Sequence, residues 1–484
     1  MDGSGSMSER PVPDAPGDDA PAQTRWVLPV TILGSSLSFI DGSVVNVALP
    51  AMQSSLDATI STMQWVVNGY MLMLSSLILI GGSLGDRYGR RNIFILGVIV
   101  FAIASAGCGI ASTAAELIAG RLLQGIGAAL LVPASLAIIG TAYSEKTRGK
   151  AIGTWAAAAA IMAAIGPPLG GWLVDTTGWR SIFFINPPIA AVTLLLALKL
   201  PVDGKRAAAP LDWAGSALAV IFLSLLSYGL VALGDGMRLV GTIAVALSVP
   251  AAVLFLVVEA KSPAPMMPLG LFRDRNFAGA NAITVVLYAG LSASLFILPF
   301  MLIRVHGYSA SATGMALLPF AVIIGLGSRW AGELSDRFGT RLPLIAGPAI
   351  AALGFALLAL IGDNADYWAG PFAGLVLAGT GMAICIPPLT STVFASVPHE
   401  QSGTASGINN VAARGGGLLA VAAIGLAFGG ADLANIEPAV VTTGFRLVMV
   451  SAAVLAAISA LFAAVSIQPV KTREKPGLDL TAPH

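Results

Sequence analysis

The chain has 484 residues, of which 56% are hydrophobic and only 11% charged, with a formal net charge of +1 and a mean hydropathy of +0.84. A water-soluble domain of this length must show polar side chains over most of its surface, so this balance excludes one and points to an integral membrane protein. A near-neutral charge also gives no basic patch of the kind that nucleic acid requires.

Residues 1-25 are rich in Pro, Asp, Gly and Ser and read as a disordered tail. They lack the apolar stretch and cleavage site of a signal peptide, which leaves the first span as an uncleaved anchor. Fourteen apolar runs follow, near 26-50, 62-84, 92-112, 115-141, 150-173, 181-200, 213-233, 239-258, 277-302, 312-331, 342-362, 369-394, 404-428 and 444-467. Each approaches or exceeds the roughly 20 residues that carry a helix through a hydrocarbon core of about 30 Å. The seventh and eighth could instead form one re-entrant segment, which would lower the count to twelve. Residues 469-484 form a polar tail.

With a cytoplasmic N-terminus, every lysine and most arginines fall on the cytoplasmic side, and the outer loops keep only Arg180, Arg238, Arg304 and Arg446. Both termini are then cytoplasmic. Cys108 and Cys385 lie in apolar runs and read as small buried hydrophobes rather than a disulfide. His306, His399 and His484 are scattered, so neither a metal site nor a cofactor is expected.

A short motif occurs twice. "GGSLGDRYGRR", Gly81 to Arg91, returns as "GELSDRFGTR", Gly332 to Arg341, some 250 residues on. "ALP" at Ala48 to Pro50 and "ILP" at Ile297 to Pro299 keep nearly the same offset, which marks a duplication. The chain therefore divides into a six-helix half over 26-200, a linker with two inserted helices over 201-276, and a second six-helix half over 277-468. Two such halves around a midplane site form a transporter architecture. Both copies of the motif join the second and third spans of their half. Their glycines permit tight turns and close helix approach, and Asp86 and Asp336 can accept from free helix amides or pair with an arginine. Gly82, Asp86, Arg87, Gly89, Arg90, Asp336 and Arg337 are thus candidates for a cytoplasmic gate.

Taken together, the motifs resemble the major facilitator superfamily, within it the drug:proton antiporters with fourteen spans. The stretches that carry the resemblance are the loop motif at Gly82 to Arg91, "DGSVVNVALP" (Asp41 to Pro50), "RLLQGIGAA" (Arg121 to Ala129), "GPPLGG" (Gly166 to Gly171), "WRSIFFINPP" (Trp179 to Pro188), "LDWAG" (Leu211 to Gly215) and "LFRDRNF" (Leu271 to Phe277). The resemblance runs from about Trp26 to Gln468. It implies an all-α major facilitator fold of two pseudo-symmetric halves in a bacterial cytoplasmic membrane, exchanging protons for amphipathic small molecules. It also gives Gly166, Pro167, Gly170 and Gly171 the place of an antiporter motif. Ile303 stands where relatives often have glutamine, and the thirteenth span has Asn409 and Asn410 but no acid, which argues against dicationic cargo.

An ionisable residue at bilayer depth is costly and usually marks a pathway. Asp41, Arg121 and Arg414 lie well inside spans, with Arg329 and Glu333 nearer the inner end of the tenth. Asp41 lies ~22 Å from the inner end of its span and Arg121 ~10 Å from the outer end of its own, so the two nearly coincide in depth. Gln124 shares the Arg121 face, and Tyr70 reaches a similar level. Asp41 and Arg121 are the candidate proton-coupling pair, as against a purely structural ion pair. Tyr70, Gln124, Asn46 and Asn186 are candidates for the substrate cavity, with hydrogen bonding between helices the alternative for Asn46 and Asn186. Arg414 would contact an anionic group or snorkel toward the inner surface.

No Gly-x-x-x-x-Gly-Lys-Ser/Thr occurs, which argues against ATP-driven pumping by this chain. A proton-coupled importer or facilitator of the same fold is the alternative. No catalytic constellation suggests a membrane enzyme, and the loops look too short for the signalling domain of a sensor. The expected partners are a small-molecule substrate, protons and the lipid bilayer, with the chain acting as a monomer.

Overall fold

A computed structural model describes residues 24–201, 211–362, 366–368, 370–398, 401–428 and 438–468. The tails therefore lie largely outside the described residues, as do the side chains of Arg329 and Asp336. Fifteen α-helices follow in chain order among the described residues. The first seven are α1 (Thr24–Ser55), α2 (Ile60–Tyr88), α3 (Arg90–Ile110), α4 (Ala114–Ala142), α5 (Glu145–Thr177), α6 (Ser181–Phe184) and α7 (Asn186–Ala197). Next come α8 (Trp213–Gly234) and α9 (Arg238–Lys261). The last six are α10 (Arg275–Phe300), α11 (Ala310–Phe338), α12 (Arg341–Ala359), α13 (Pro371–Ala395), α14 (Ser402–Ala423) and α15 (Pro438–Ser466).

Thirteen described helices are long and apolar enough to cross a membrane. The sixth expected span is the exception. It is interrupted at Ile185 and yields the short pair α6 and α7, since Pro187 and Pro188 can open a helix but cannot continue one already running. The seventh and eighth runs are two separate helices joined by a turn at Asp235 to Met237, not one re-entrant segment.

Local chemistry sets the boundaries. Thr113 and Glu116 make a reciprocal capping box at the start of α4. The side chains of Thr59, Asp212, Asp274 and Ser309 accept from first-turn amides of α2, α8, α10 and α11. Gly89, between α2 and α3, has φ 95°, and Gly339, between α11 and α12, has φ 75°. Both copies of the duplicated motif thus turn on a glycine in a region that other residues avoid.

Packing repeats as well. The pairs α1 with α5, α2 with α4, α3 with α4, α3 with α7 and α1 with α7 recur as α10 with α14, α11 with α13, α12 with α13, α12 with α15 and α10 with α15. Glycines allow the closest of these approaches: a Cβ on Gly97 would meet the Gly127 carbonyl at 2.9 Å, and one on Gly347 would meet that of Gly381 at 2.8 Å. Ile103, Leu195, Leu239, Leu326, Leu461 and Val465 are exposed on the outside, where acyl chains cover them in a bilayer.

The structure is closed at one end and open at the other. Away from the motif loops, Gly171 abuts the backbone of Ala310 and Gly314 that of Pro167, so α5 and α11 touch main chain to main chain. Toward the loops, a Cβ added to Gly149 or Gly153 on α5, or to Gly325 or Gly332 on α11, would meet nothing within 4 Å. The motif-bearing end is the open one.

Candidate functional site

The polar centre of the first six spans is built from α1, α2 and α4. Asp41 is fully buried, Gln124 likewise, and Arg121 is 1% exposed. Arg121 Nη1 donates to Asp41 Oδ2 at 2.5 Å and to Gln124 Oε1 at 2.8 Å, while Gln124 Nε2 donates to Asp41 Oδ1 at 3.2 Å. The three side chains form a closed ring in which both carboxylate oxygens are engaged. Arg121 Nε donates to the Val66 carbonyl at 3.0 Å, and the guanidinium lies 4.5 Å from the Tyr70 ring centroid. Tyr70 in turn shares a 2.6 Å hydrogen bond with Ser38 on α1.

This arrangement answers the cost of placing charge in a low-dielectric interior, because the two ions neutralise each other and most of their remaining polar capacity is filled. It also makes protonation consequential. A proton on Asp41 turns one of its two acceptors into a donor, which breaks the ring and leaves a buried guanidinium without its counter-ion. Occupancy by a proton and the arrangement of α1, α2 and α4 are therefore linked. Behind the ring, Trp155 on α5 donates to Ser35, whose hydroxyl donates to Ser135 on α4, at 3.1 and 2.9 Å.

The "GPPLGG" stretch works by proximity. A Cβ on Gly166 would collide with Ser43 and one on Gly170 with Val44, so α5 lies directly on α1 one turn from Asp41. Gly171, on another face, touches α11. A single turn of α5 thus contacts both the helix that carries the buried acid and a helix of the last six spans.

Two polar contacts reinforce the closed end, and sequence reasoning missed both. Asp175, in the last turn of α5, accepts from the backbone amides of Ala310 and Ser311 at 3.1 and 2.8 Å, capping the start of α11. An acid at a helix C-terminus opposes its own dipole, and that misfit was the available signal that it serves another helix. Arg304 donates to Gln53 and Ser54 at 3.2 and 2.9 Å. Asn46 and Ser43 on α1 are half-buried, Ser43 lying against Gly166 of α5.

At the open end, Arg90 pairs with Asp86 at 2.7 Å and donates to the Ala137 carbonyl at 3.2 Å, holding α2, α3 and α4 together. Arg91 donates to the Leu198 carbonyl at 3.1 Å, and its counterpart Arg341 donates to that of Ala464 at 2.8 Å. A Cβ added to Gly82 would meet Pro133 at 3.8 Å, whereas Arg87 and Arg337 are exposed. Asn186 does not join the central ring. It is fully buried and donates to Ser105 on α3 at 2.9 Å, a link between helices rather than a cavity wall. Asn409 similarly donates to Thr284 and Asn281 of α10. Among the described residues, no group of three or more His, Cys, Asp or Glu is placed to hold a metal.

Comparison with known proteins gives a consistent result. Residues 31–421 match the profile of the Major Facilitator Superfamily. The chain is 36% identical to "Multidrug resistance protein Stp" of Mycobacterium tuberculosis (strain CDC 1551 / Oshkosh), over 84% of this chain and 76% of that one. It is 34% identical to the "Methylenomycin A resistance protein" of Bacillus subtilis (strain 168), over 83% and 86% of the two chains. In fold it is similar to a bacterial homologue of the human lysosomal transporter Spinster in an inward-facing, unoccupied conformation, with a TM-score of 0.66, 19% identity, and coverage of 92% and 97%.

Proposed function

Since the chain belongs to the major facilitator superfamily and is a multi-pass membrane transporter, we propose that it is a drug exporter whose outward cargo movement is driven by inward proton movement. Relatives named for multidrug and methylenomycin A resistance support the export reading. The observation that carries the coupling is the sealed ring of Asp41, Arg121 and Gln124.

In this scheme both termini are cytoplasmic and the motif loops face the cytoplasm, so the structure is the inward-open state. Asp41 accepts hydrogen bonds with both oxygens, as a carboxylate does, and the state is the one that has released its proton and can take up cargo. Cargo enters along α1 past Asn46 and Ser43, with Tyr70 and the ring behind it. Closure of the cytoplasmic end and parting of Asp175 from α11 expose the cavity outside. There cargo leaves, and a proton reaches Asp41 as the ring opens. Return to the inward state presses Arg121 back onto Asp41 and expels the proton. Gln124 positions the carboxylate, and Gly166 to Gly171 form the pivot. Asp86, Arg87 and Arg90, with Asp336 and Arg337 of the second copy, form the cytoplasmic gate.

Both groups of six helices come from one chain, so a monomer suffices. One proton moved through 100 mV contributes about 2.3 kcal/mol, and each unit of pH difference adds about 1.4 kcal/mol. The test uses inverted membrane vesicles with an acidified lumen and an aromatic drug as cargo. Adding the drug should raise lumenal pH as it accumulates. Acidification on addition would indicate import with protons, and no change together with no accumulation would reject coupling.

A further inference from the structure

Among the described residues, Arg414 is a cation inside a membrane-spanning helix that has no ion pair. It sits midway along α14, its Nε is shielded from solvent, and that nitrogen has no hydrogen-bond partner. The titratable groups in its electrostatic range are Tyr70 and Tyr288, both neutral at physiological pH, and no carboxylate among the described residues is one of them. The contrast with Arg121, which has Asp41, Gln124, a carbonyl and an aromatic face, is complete.

Its neighbours fix its place. Gly407 lies against Leu79 of α2, Gly416 against Val285 of α10, and Gly417 against Ser292 of α10 with Met71 of α2 nearby. Arg414 is bracketed by these glycines and so stands where α2, α10 and α14 meet, on the seam between the first and last six spans. Tyr70, whose ring lies against the neutralised guanidinium of Arg121, is also within electrostatic range of Arg414.

The side chain as a whole is half-buried, with its Nε shielded from solvent. Closure of the cavity under alternating access would bury it further. A bare guanidinium at that depth is strongly disfavoured, whereas one paired with a carboxylate forms a short, charge-assisted contact. Loaded closure is then favoured over empty closure only when cargo brings the missing negative charge. Tyr70 and Tyr288, in its electrostatic range, bring aromatic residues to the neighbourhood of the charge.

Resting on the export reading above, we infer that Arg414 receives an acidic group of the cargo, and that the preferred cargo is an amphipathic aromatic acid rather than a cation. Charge bookkeeping follows directly. A monoanion leaving while a proton enters moves two positive charges inward per cycle, so membrane potential drives its export strongly. A monocation exchanged for one proton moves none.

The test compares anthracene-2-carboxylate with the neutral anthracene-2-carboxamide, using purified full-length protein. Fluorescence titration should give wild type a preference for the carboxylate of roughly tenfold or more. Arg414→Gln should bind the two probes alike, and Arg414→Lys should keep part of the preference. Equal binding by wild type, or an undiminished carboxylate preference in Arg414→Gln, overturns the assignment. If Arg414→Gln binds neither probe, Arg414→Lys decides: a retained preference supports the assignment and a lost one overturns it. Uptake of the carboxylate into proteoliposomes, with a potassium diffusion potential and valinomycin, separates the two levels of the argument. A binding preference without gradient-driven uptake refutes proton-coupled export while the Arg414 site stands. Uptake indifferent to the potential refutes export of the anion in exchange for a proton.

Discussion

The first six spans and the last six share a helical scaffold but not its electrostatics. Gly97 and Gly127 find their counterparts in Gly347 and Gly381, packed in the same way. "RLLQGIGAA" at Arg121 to Ala129 corresponds to "LVLAGTGMA" at Leu375 to Ala383, so Arg121 is matched by Leu375 and Gln124 by Ala378, both buried. Nine residues before Pro50 stands Asp41, while nine before Pro299 stands Gly290, pressed against Ala452. One bundle holds a neutralised ion pair, and the other holds Arg414, for which no ion pair is found among the described residues. On the reading proposed above, duplication supplies two bundles that rock past each other, and their divergence would separate a proton site from a cargo site. The shared backbone packing shows that one bundle of this shape is built without such a pair, which favours the functional reading of the charges over a purely structural one.

The largest effect expected from breaking this asymmetry comes from Asp41→Asn. Uphill export should fall to the background of protein-free vesicles, while downhill cargo exchange persists, as measured by counterflow in proteoliposomes. Arg121 then lacks its counter-ion, at a cost of about 3–5 kcal/mol, so the double variant Asp41→Asn with Arg121→Gln should recover stability without recovering uphill transport.

Gly171→Val comes next. Its side chain would run into the Ala310 backbone, and relief of such overpacking costs about 1–3 kcal/mol. That energy falls on the closed outer end, so the equilibrium should shift toward the outward-open state by roughly tenfold, as read by labelling of a cysteine placed in the outer cavity. Unchanged labelling would show that α5 and α11 do not carry the seal.

Asp175→Ala should act in the same direction more weakly. The lost capping contacts lie partly in solvent and contribute about 1 kcal/mol, which is a shift of roughly fivefold. Smallest of all is Asp86→Ala, which removes only the acid of the Arg90 pair. Asp86 is 57% exposed, so the i,i+4 pair contributes at most about 1 kcal/mol and the melting temperature should drop by about 2 °C or less. A larger fall would mean that the duplicated loop holds the bundle together through more than this pair.

Much of this was readable in the sequence because membrane helices obey simple length and polarity rules. The break at Ile185 was signalled by Asn186, Pro187 and Pro188, but a run averaged for hydropathy hides it. The depths of Asp41, Tyr70, Arg121 and Gln124 followed from helical rise, and the structure brings these four together. Their hydrogen-bonded ring did not follow, because rotation of each helix about its axis is fixed by packing. For the same reason Asn186 faces Ser105 rather than the cavity. The seal made by Asp175 and the start of α11 joins segments some 135 residues apart in sequence, and no local pattern specifies such a pair. Arg414 was visible as an intramembrane cation, but the lack of a carboxylate in its range among the described residues is a fact of three dimensions.

The most direct test of the central claim is the lumenal pH of inverted proteoliposomes bearing an imposed acidic interior, followed during addition of a transported aromatic drug. Wild-type protein should relieve lumenal acidity in step with drug accumulation, and Asp41→Asn should do neither. Equal accumulation by the variant, or accumulation by wild type that survives collapse of both the pH difference and the membrane potential, would contradict the account.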